Sequence, residues 1–173
     1  TGTLSLNQMT VGEAWTPAGT VSVDGPGYDP VAALTWSSTS AHEACAALAL
    51  AGMRCSTGYA QERGGEWQPH GDPMEAALDA FARRLGIDTD GDRGRHPVEL
   101  RFPFDPRLRR MSVVVDDGVV VKGAPDGVLP LCGDGEAART SVDTLTARGL
   151  RVLAIAAAPV AGHTPRTPED TER

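Results

Sequence analysis

No stretch of this chain approaches the roughly 18 consecutive apolar residues of a membrane-spanning helix. Its most apolar runs, Ala44 to Met53 and Val152 to Val160, are short and rich in alanine. Basic runs are equally scarce. The longest is Arg107-Leu108-Arg109-Arg110, in a chain of formal charge −7, which argues against nucleic acid or an anionic membrane surface as partner. The three cysteines, Cys45, Cys55 and Cys132, are odd in number and lack CxxC spacing. Neither a disulfide framework nor a zinc site is indicated, and a reducing compartment fits best. A Walker A loop and a Gly-x-Gly-x-x-Gly fingerprint are both missing, which removes the conventional NTPase and Rossmann readings. His42, His70, His96 and His163 have neither metal-ligand spacing nor a triad with a nucleophilic Ser or Cys, and read as structural or surface residues. No signal-peptide pattern and no internal repeat is present.

What is there suits one globular core: 173 residues, 40% hydrophobic and 23% charged. Val21 to Val23 reads as a strand entering a Gly/Pro turn, Gly25 to Pro30. Ser40 to Met53 has apolar residues at helical spacing, with Ser38, Thr39 or Ser40 as its cap. Ser56 to His70 is polar and reads as a loop with a short strand at most. Met74 to Leu85 is the clearest amphipathic helix, opened by Asp72-Pro73 and closed by Gly86. An Asp/Gly/Arg loop is expected from Asp88 to Arg95, then a strand from Val98 to Phe102. Met111 to Val115 and Val119 to Lys122 form a hairpin through Asp116-Asp117-Gly118. A helix over Glu136 to Ala147, Gly149 as its cap and a last strand over Arg151 to Ala157 complete the pattern. Strands and helices mix without strict alternation, so α+β with an antiparallel sheet is the expected class.

Several short constellations have the chemistry for a site. Glu75 stands one turn into a helix, where a carboxylate serves either the helix dipole or a ligand amine. Phe104 follows Phe102-Pro103, and an aromatic at a sheet mouth either stacks on a base or joins the core. Arg107, Arg109 and Arg110 either attract phosphates or form a solvated basic turn. Lys122 closes a strand and is followed by Gly123 and Ala124, leaving a shallow slot beside an ammonium. Alternation along Arg151 to Ala157 would put Arg151 and Leu153 on one face, the former as phosphate contact or snorkelling cation. One pattern misleads: Asp88, Asp90, Asp92 and Glu99 mimic a calcium loop, but Arg93 stands where that loop needs Gly, and Pro97 interrupts it.

Four stretches in order, Gly71-Asp72-Pro73-Met74-Glu75-Ala76-Ala77-Leu78, Phe102 to Val113, Val121-Lys122-Gly123-Ala124-Pro125-Asp126 and Gly149 to Ala156, resemble the nucleotide-binding domain of P-type cation-transporting ATPases. Met74 stands where the family usually carries Thr, and Asp126 replaces its usual Glu. Gly25-Pro26-Gly27-Tyr28-Asp29-Pro30 looks like a stretch of the calcium or general cation pumps. Thr1-Gly2-Thr3-Leu4 looks like the tail of the family's phosphorylation loop, Asp-Lys-Thr-Gly-Thr-Leu-Thr. The resemblance implies an antiparallel sheet flanked by helices, with a residual phosphorylation-domain segment and hinge at 1–12, the nucleotide-binding domain at 13–158 and a flexible tail or hinge at 159–173.

It further implies a soluble, monomeric, cytoplasmic piece of an integral plasma-membrane pump. That piece would bind ATP through Glu75, Phe104, Lys122, Gly123, Arg151 and Leu153, and work with the parent's phosphorylation and actuator domains. The catalytic Asp would precede residue 1 and the Mg2+ ligands would lie outside the chain, so the piece alone would bind ATP without turnover. The alternative is a stand-alone nucleotide-sensing or interaction module with the same fold. A haloacid-dehalogenase-like phosphatase, suggested by Thr1 to Leu4 alone, would need further motifs of its own that these 173 residues do not supply.

Overall fold

The computed structural model describes residues 8–116, 118–133, 135–160 and 167. The leading Thr-Gly-Thr-Leu segment, Asp117 of the hairpin turn, His163 and most of the tail lie outside the described residues. The chain divides into two compact units, Thr1–Gly91 and Asp92–Arg173. The class is α+β, with antiparallel strand pairing throughout the described residues.

In the first unit, β1 (Glu13–Thr16), β2 (Gly19–Asp24) and β3 (Ala33–Trp36) form one sheet in that order. Helix α1 (Thr39–Arg54) starts where Ser38 Oγ accepts from the Ala41 N–H at 3.1 Å, as a cap should. Its alanine-rich face lets backbones approach closely. Ala14, Val21, Cys45, Ala49 and Met53 meet Phe81, Ala82 and Leu85 of the next helix in one core. Burial pushes the Cys45 thiol pKa up, leaving it an inert small hydrophobe.

The segment expected to be a loop with a short strand at most is a hairpin, β4 (Tyr59–Arg63) and β5 (Glu66–His70). Its polar, charged strands hide the pattern, but Gly64 and Gly65 both have positive φ, 63° and 85°. That conformation is the one a two-residue hairpin turn demands. Stacking of Tyr59 on His70, ring centroids 4.5 Å apart, ties the open end.

Helix α2 (Pro73–Arg84) carries most of the unit's buried charge. Asp79 is fully buried and accepts from the Ala60 N–H at 3.0 Å and from Arg83 Nε at 2.9 Å. Arg83 also reaches Asp90 at 2.8 Å. Burial works to lower its pKa, but hydrogen bonds and charge from Asp79 and Asp90 outweigh it and raise the value. Arg84 donates to the Asp29 carbonyl at 2.7 Å, the Gly27 carbonyl at 3.0 Å and Thr10 Oγ1 at 3.0 Å. This fastens the Gly/Pro turn, whose Tyr28 is buried and accepts from the Met9 N–H at 3.1 Å. The expected loop from Asp88 to Arg95 is instead helical over α3 (Thr89–Arg95). Asp88 Oδ1 accepts from the Gly91 N–H at 3.0 Å, so an Asp/Gly sequence that reads as loop is nucleated by its own cap.

The second unit is built on a four-stranded sheet in the order β6 (Leu100–Asp105), β7 (Arg110–Val115), β8 (Gly118–Gly123), β9 (Ala154–Pro159). Val114, Val119 and Val121 on one face pack against Val128, which sits at the end of the short helix α4 (Pro125–Val128). Helix α5 (Glu136–Ala147) has the expected limits, and Gly149, at φ 78°, follows its end. The last strand starts at Ala154 and not at Arg151. Strand β8 ends at Gly123, which pairs with Ala154, and Pro125 then turns the chain into α4, so residues 151–153 have no ladder to join.

Asp79→Ala would leave the Arg83 guanidinium and the Ala60 N–H without a buried acceptor. The expected loss is about 3–5 kcal/mol, the range for breaking a buried pair. Exposed Glu66→Ala should cost less than about 0.5 kcal/mol. Urea unfolding of both variants checks the contrast.

Candidate functional site

The antiparallel register creates one terminal row across the second unit's sheet: Asp105 pairs with Arg110, Arg110 with Gly123 and Gly123 with Ala154. Four strand ends from distant parts of the sequence thus share one sheet end. Phe104 immediately precedes the row on β6, Lys122 precedes it on β8, and Leu153 leads into it from the other side. Phe104, Lys122, Gly123 and Leu153 lie in this row or next to it in the chain, and Arg151 precedes it by three residues. Glu75 belongs to the first unit.

Lys122 stands opposite Met111 on one neighbour and Ile155 on the other, so these three side chains share a face. It is 2% exposed, unusual for a lysine. Phe104 is 54% exposed, unusual for a phenylalanine in a strand. Its freedom has a local cause: the β6–β7 register shifts between Phe102 and Asp105, and such a bulge re-aims the side chains within it. Phe102 is half-buried.

Gly123 has a role that its motif alone does not reveal. A methyl group there would lie 2.6 Å from Arg110 Cα and closer still to the Arg109 carbonyl oxygen. The missing side chain therefore admits the backbone of the β6–β7 turn. The arginines of that turn have partners of their own: Arg107 with Asp105, Arg109 with Asp126, and Arg110 Nη1 donating to the Gly127 carbonyl at 3.0 Å. Asp105 caps the turn by accepting from the Arg107 N–H at 2.7 Å. The Arg107 side-chain and backbone hydrogen bonds hold its carboxyl below the usual carboxylate range.

Arg151 is exposed and Leu153 half-buried. Because both precede β9, strand alternation does not place them on a common face, which corrects that expectation. Glu75 is buried, its helix capped by Asp72 Oδ1, which accepts from the Met74 N–H at 2.8 Å and the Glu75 N–H at 3.1 Å. Glu75 Oε2 accepts from the Thr57 N–H at 2.8 Å, Thr57 Oγ1 at 3.0 Å and the Gly58 N–H at 2.8 Å. It clamps the turn that leads into β4. Sequence reasoning missed Thr57, whose only signal is a small polar Ser-Thr-Gly step, and weighed Arg109 only as a phosphate contact or part of a solvated basic turn.

Residues 44–137 match the family described as P-type ATPase, cytoplasmic domain N. The chain belongs to the P-type cation-transporting ATPases and carries their cytoplasmic domain N. It is 32% identical over 189 residues to the calcium-transporting ATPase of Bacillus subtilis, covering 95% of this chain and 21% of that protein. The probable cation-transporting ATPase F of Mycobacterium tuberculosis is 34% identical, with 98% and 21% covered. The cation-transporting ATPase pma1 of Synechocystis is 30% identical, with 94% and 21% covered. The chain thus spans about a fifth of the length of these relatives. No helix among the described residues is long and apolar enough to cross a membrane.

Gly123→Ala should lower stability by about 1–3 kcal/mol, the scale of overpacking against backbone that cannot retreat, read as a fall in the thermal midpoint. The Asp105 cap should be sensitive to acid. A folded-state pKa below the unfolded value contributes stability that is present above the ordinary Asp range near 3.9 and is lost as pH falls through the lowered value. Unfolding of wild type and Asp105→Asn should therefore differ at neutral pH and converge in acid.

Proposed function

We propose that the chain binds ATP at the sheet end of its second unit and presents the γ-phosphate to a catalytic aspartate elsewhere in a cation-pumping parent. Adenine stacks on Phe104 beside the wall formed by Lys122 and Gly123, Leu153 closes the base site, and Arg151 stands toward the phosphates. The observation that carries this reading is the terminal row, which brings an exposed aromatic and a buried lysine from separate motifs to one edge. An aromatic face held outside the core suits a flat π-system, and stacking contributes about 1–3 kcal/mol per base.

Among the described residues no group of three or more His, Cys, Asp or Glu side chains is placed to hold a metal ion. No step is therefore assigned to Mg2+ on these residues. The chain's share of the reaction is binding and orientation. The parent's phosphorylation and actuator domains are its partners, with the pump in the plasma membrane and this domain on the cytoplasmic side. Glu75 enters through its clamp on Thr57 and Gly58, which shapes the start of β4.

Titration with ATP by NMR or calorimetry tests this reading. Saturable, weak binding is expected, with Phe104→Ala raising Kd by about 5- to 150-fold, equivalent to about 1–3 kcal/mol. Lys122→Met, which keeps the buried stem and removes the charge, should weaken ATP as well. Absence of binding at millimolar ATP, or full affinity in both variants, overturns the proposal.

A further inference from the structure

We propose that Arg109 is a positioning residue, which through its pair with Asp126 fixes the turn that aims Phe104; this rests on the nucleotide-site reading above. Three handles of Arg109 are engaged at once. Its N–H donates to the Asp105 carbonyl at 2.7 Å, its carbonyl accepts from the Ala124 N–H at 2.9 Å, and its guanidinium meets the Asp126 carboxylate. Its backbone is left-handed, φ 57°, a conformation that a residue with a Cβ adopts only when its surroundings hold it there.

Phe104 needs such a fixture. It lies within the register shift of β6, where the ladder resumes only at the pair of Asp105 with Arg110. The Phe104 side chain is therefore aimed by how the 105–109 turn closes. That turn is tied to residues 124–127 on the far side of Gly123 by the Arg109 carbonyl, the Arg109–Asp126 pair and the Arg110 bond to Gly127. The same segment continues directly from Lys122 and Gly123. The pair thus links the element carrying the stacking ring to the element carrying the lysine.

Both partners are more than half exposed. Exposed ion pairs contribute little to global stability, so breaking this one should leave the fold intact while changing the aim of the ring. Arg109→Gly is a suitable variant because it keeps the left-handed backbone available and removes only the side chain. Asp126→Ala removes the other half, and the exchange Arg109→Asp with Asp126→Arg restores opposite charges.

The test compares adenosine and ATP titrated by NMR into wild type, these variants and Phe104→Ala, following the Phe104 ring resonances. Positioning predicts that each single variant weakens adenosine and ATP by the same factor, on the order of threefold or more, as for residues coupled in one network. Ring resonances should shift in the free protein, and the exchange should recover affinity for both ligands. Loss confined to ATP would overturn the proposal in favour of a direct phosphate contact. Unchanged affinity in the single variants while Phe104→Ala binds weakly, or failure of the exchange to recover binding, would overturn it and leave the nucleotide site standing. If Phe104→Ala also binds adenosine like wild type, the nucleotide-site reading fails and the positioning role fails with it.

Discussion

The geometry of the second unit depends on one close approach, the packing of the 109–110 backbone onto Gly123. A side chain there would push the β6–β7 turn outward and open the register that ends the sheet in a common row. Two neighbouring residues reinforce the constraint from the sequence side. Ala124 adds almost no bulk and donates its N–H to the Arg109 carbonyl, and Pro125, having no N–H, ends the ladder and begins α4. The valine-rich stretches of β7 and β8 supply the burial that holds the strands together. Where the strands stop is decided by Gly123 to Pro125.

The first unit solves a different problem, that of holding polar loops against its core. Glu75 and Asp79 lie one turn apart on α2, so they project on the same side and meet successive backbone groups, the N–H of 57 and 58 and then that of 60. A helix start suits a carboxylate, since unpaired N–H groups make that end positive. Arg83 and Arg84, at the other end, are equally well placed for the negative pole and reach Asp79, Asp90 and the Gly/Pro turn. Desolvation lowers the pKa of Arg84, with the charge of Asp29 opposing that effect, yet three carbonyl or hydroxyl acceptors satisfy its donors. Net negative charge in the chain is thus compatible with a dense local use of both signs.

Legibility in the sequence followed the strength of local physics. Helices α1 and α2 and the β7–β8 hairpin were readable because capping or turn residues and apolar positions agree with their final burial, whereas α5, which buries no residue, was bounded by Gly149 beyond its end. The β4–β5 hairpin was not, because its strands are largely polar and only Gly64-Gly65 betrays the turn. Helix α3 escaped because Asp88-Thr89-Asp90-Gly91 favours a turn in isolation and becomes helical through a side-chain cap. The start of β9 was misplaced by three residues, since nothing in Arg151 to Leu153 says that the neighbouring strand has already ended. Motifs pointed to Lys122, Gly123 and Phe104, but the reason for Gly123 and the part played by Arg109 arise from a left-handed backbone and a distant carboxylate. Neither leaves a trace in residue spacing.

The burial of the two residues flanking the terminal row inverts the ordinary preference, with a lysine inside and a phenylalanine outside. The register shift in β6 leaves the ring outside, and the face shared with Met111 and Ile155 takes in the lysine. An exposed ring forgoes the roughly 1.5–3 kcal/mol available from burying such a side chain, and a buried ammonium carries a desolvation cost that a methionine in its place would avoid. Both placements occur one residue from the same cross-strand row, and the proposed nucleotide site draws on both. On the proposed reading, a base that covers the ring would recover apolar burial that the free protein forgoes.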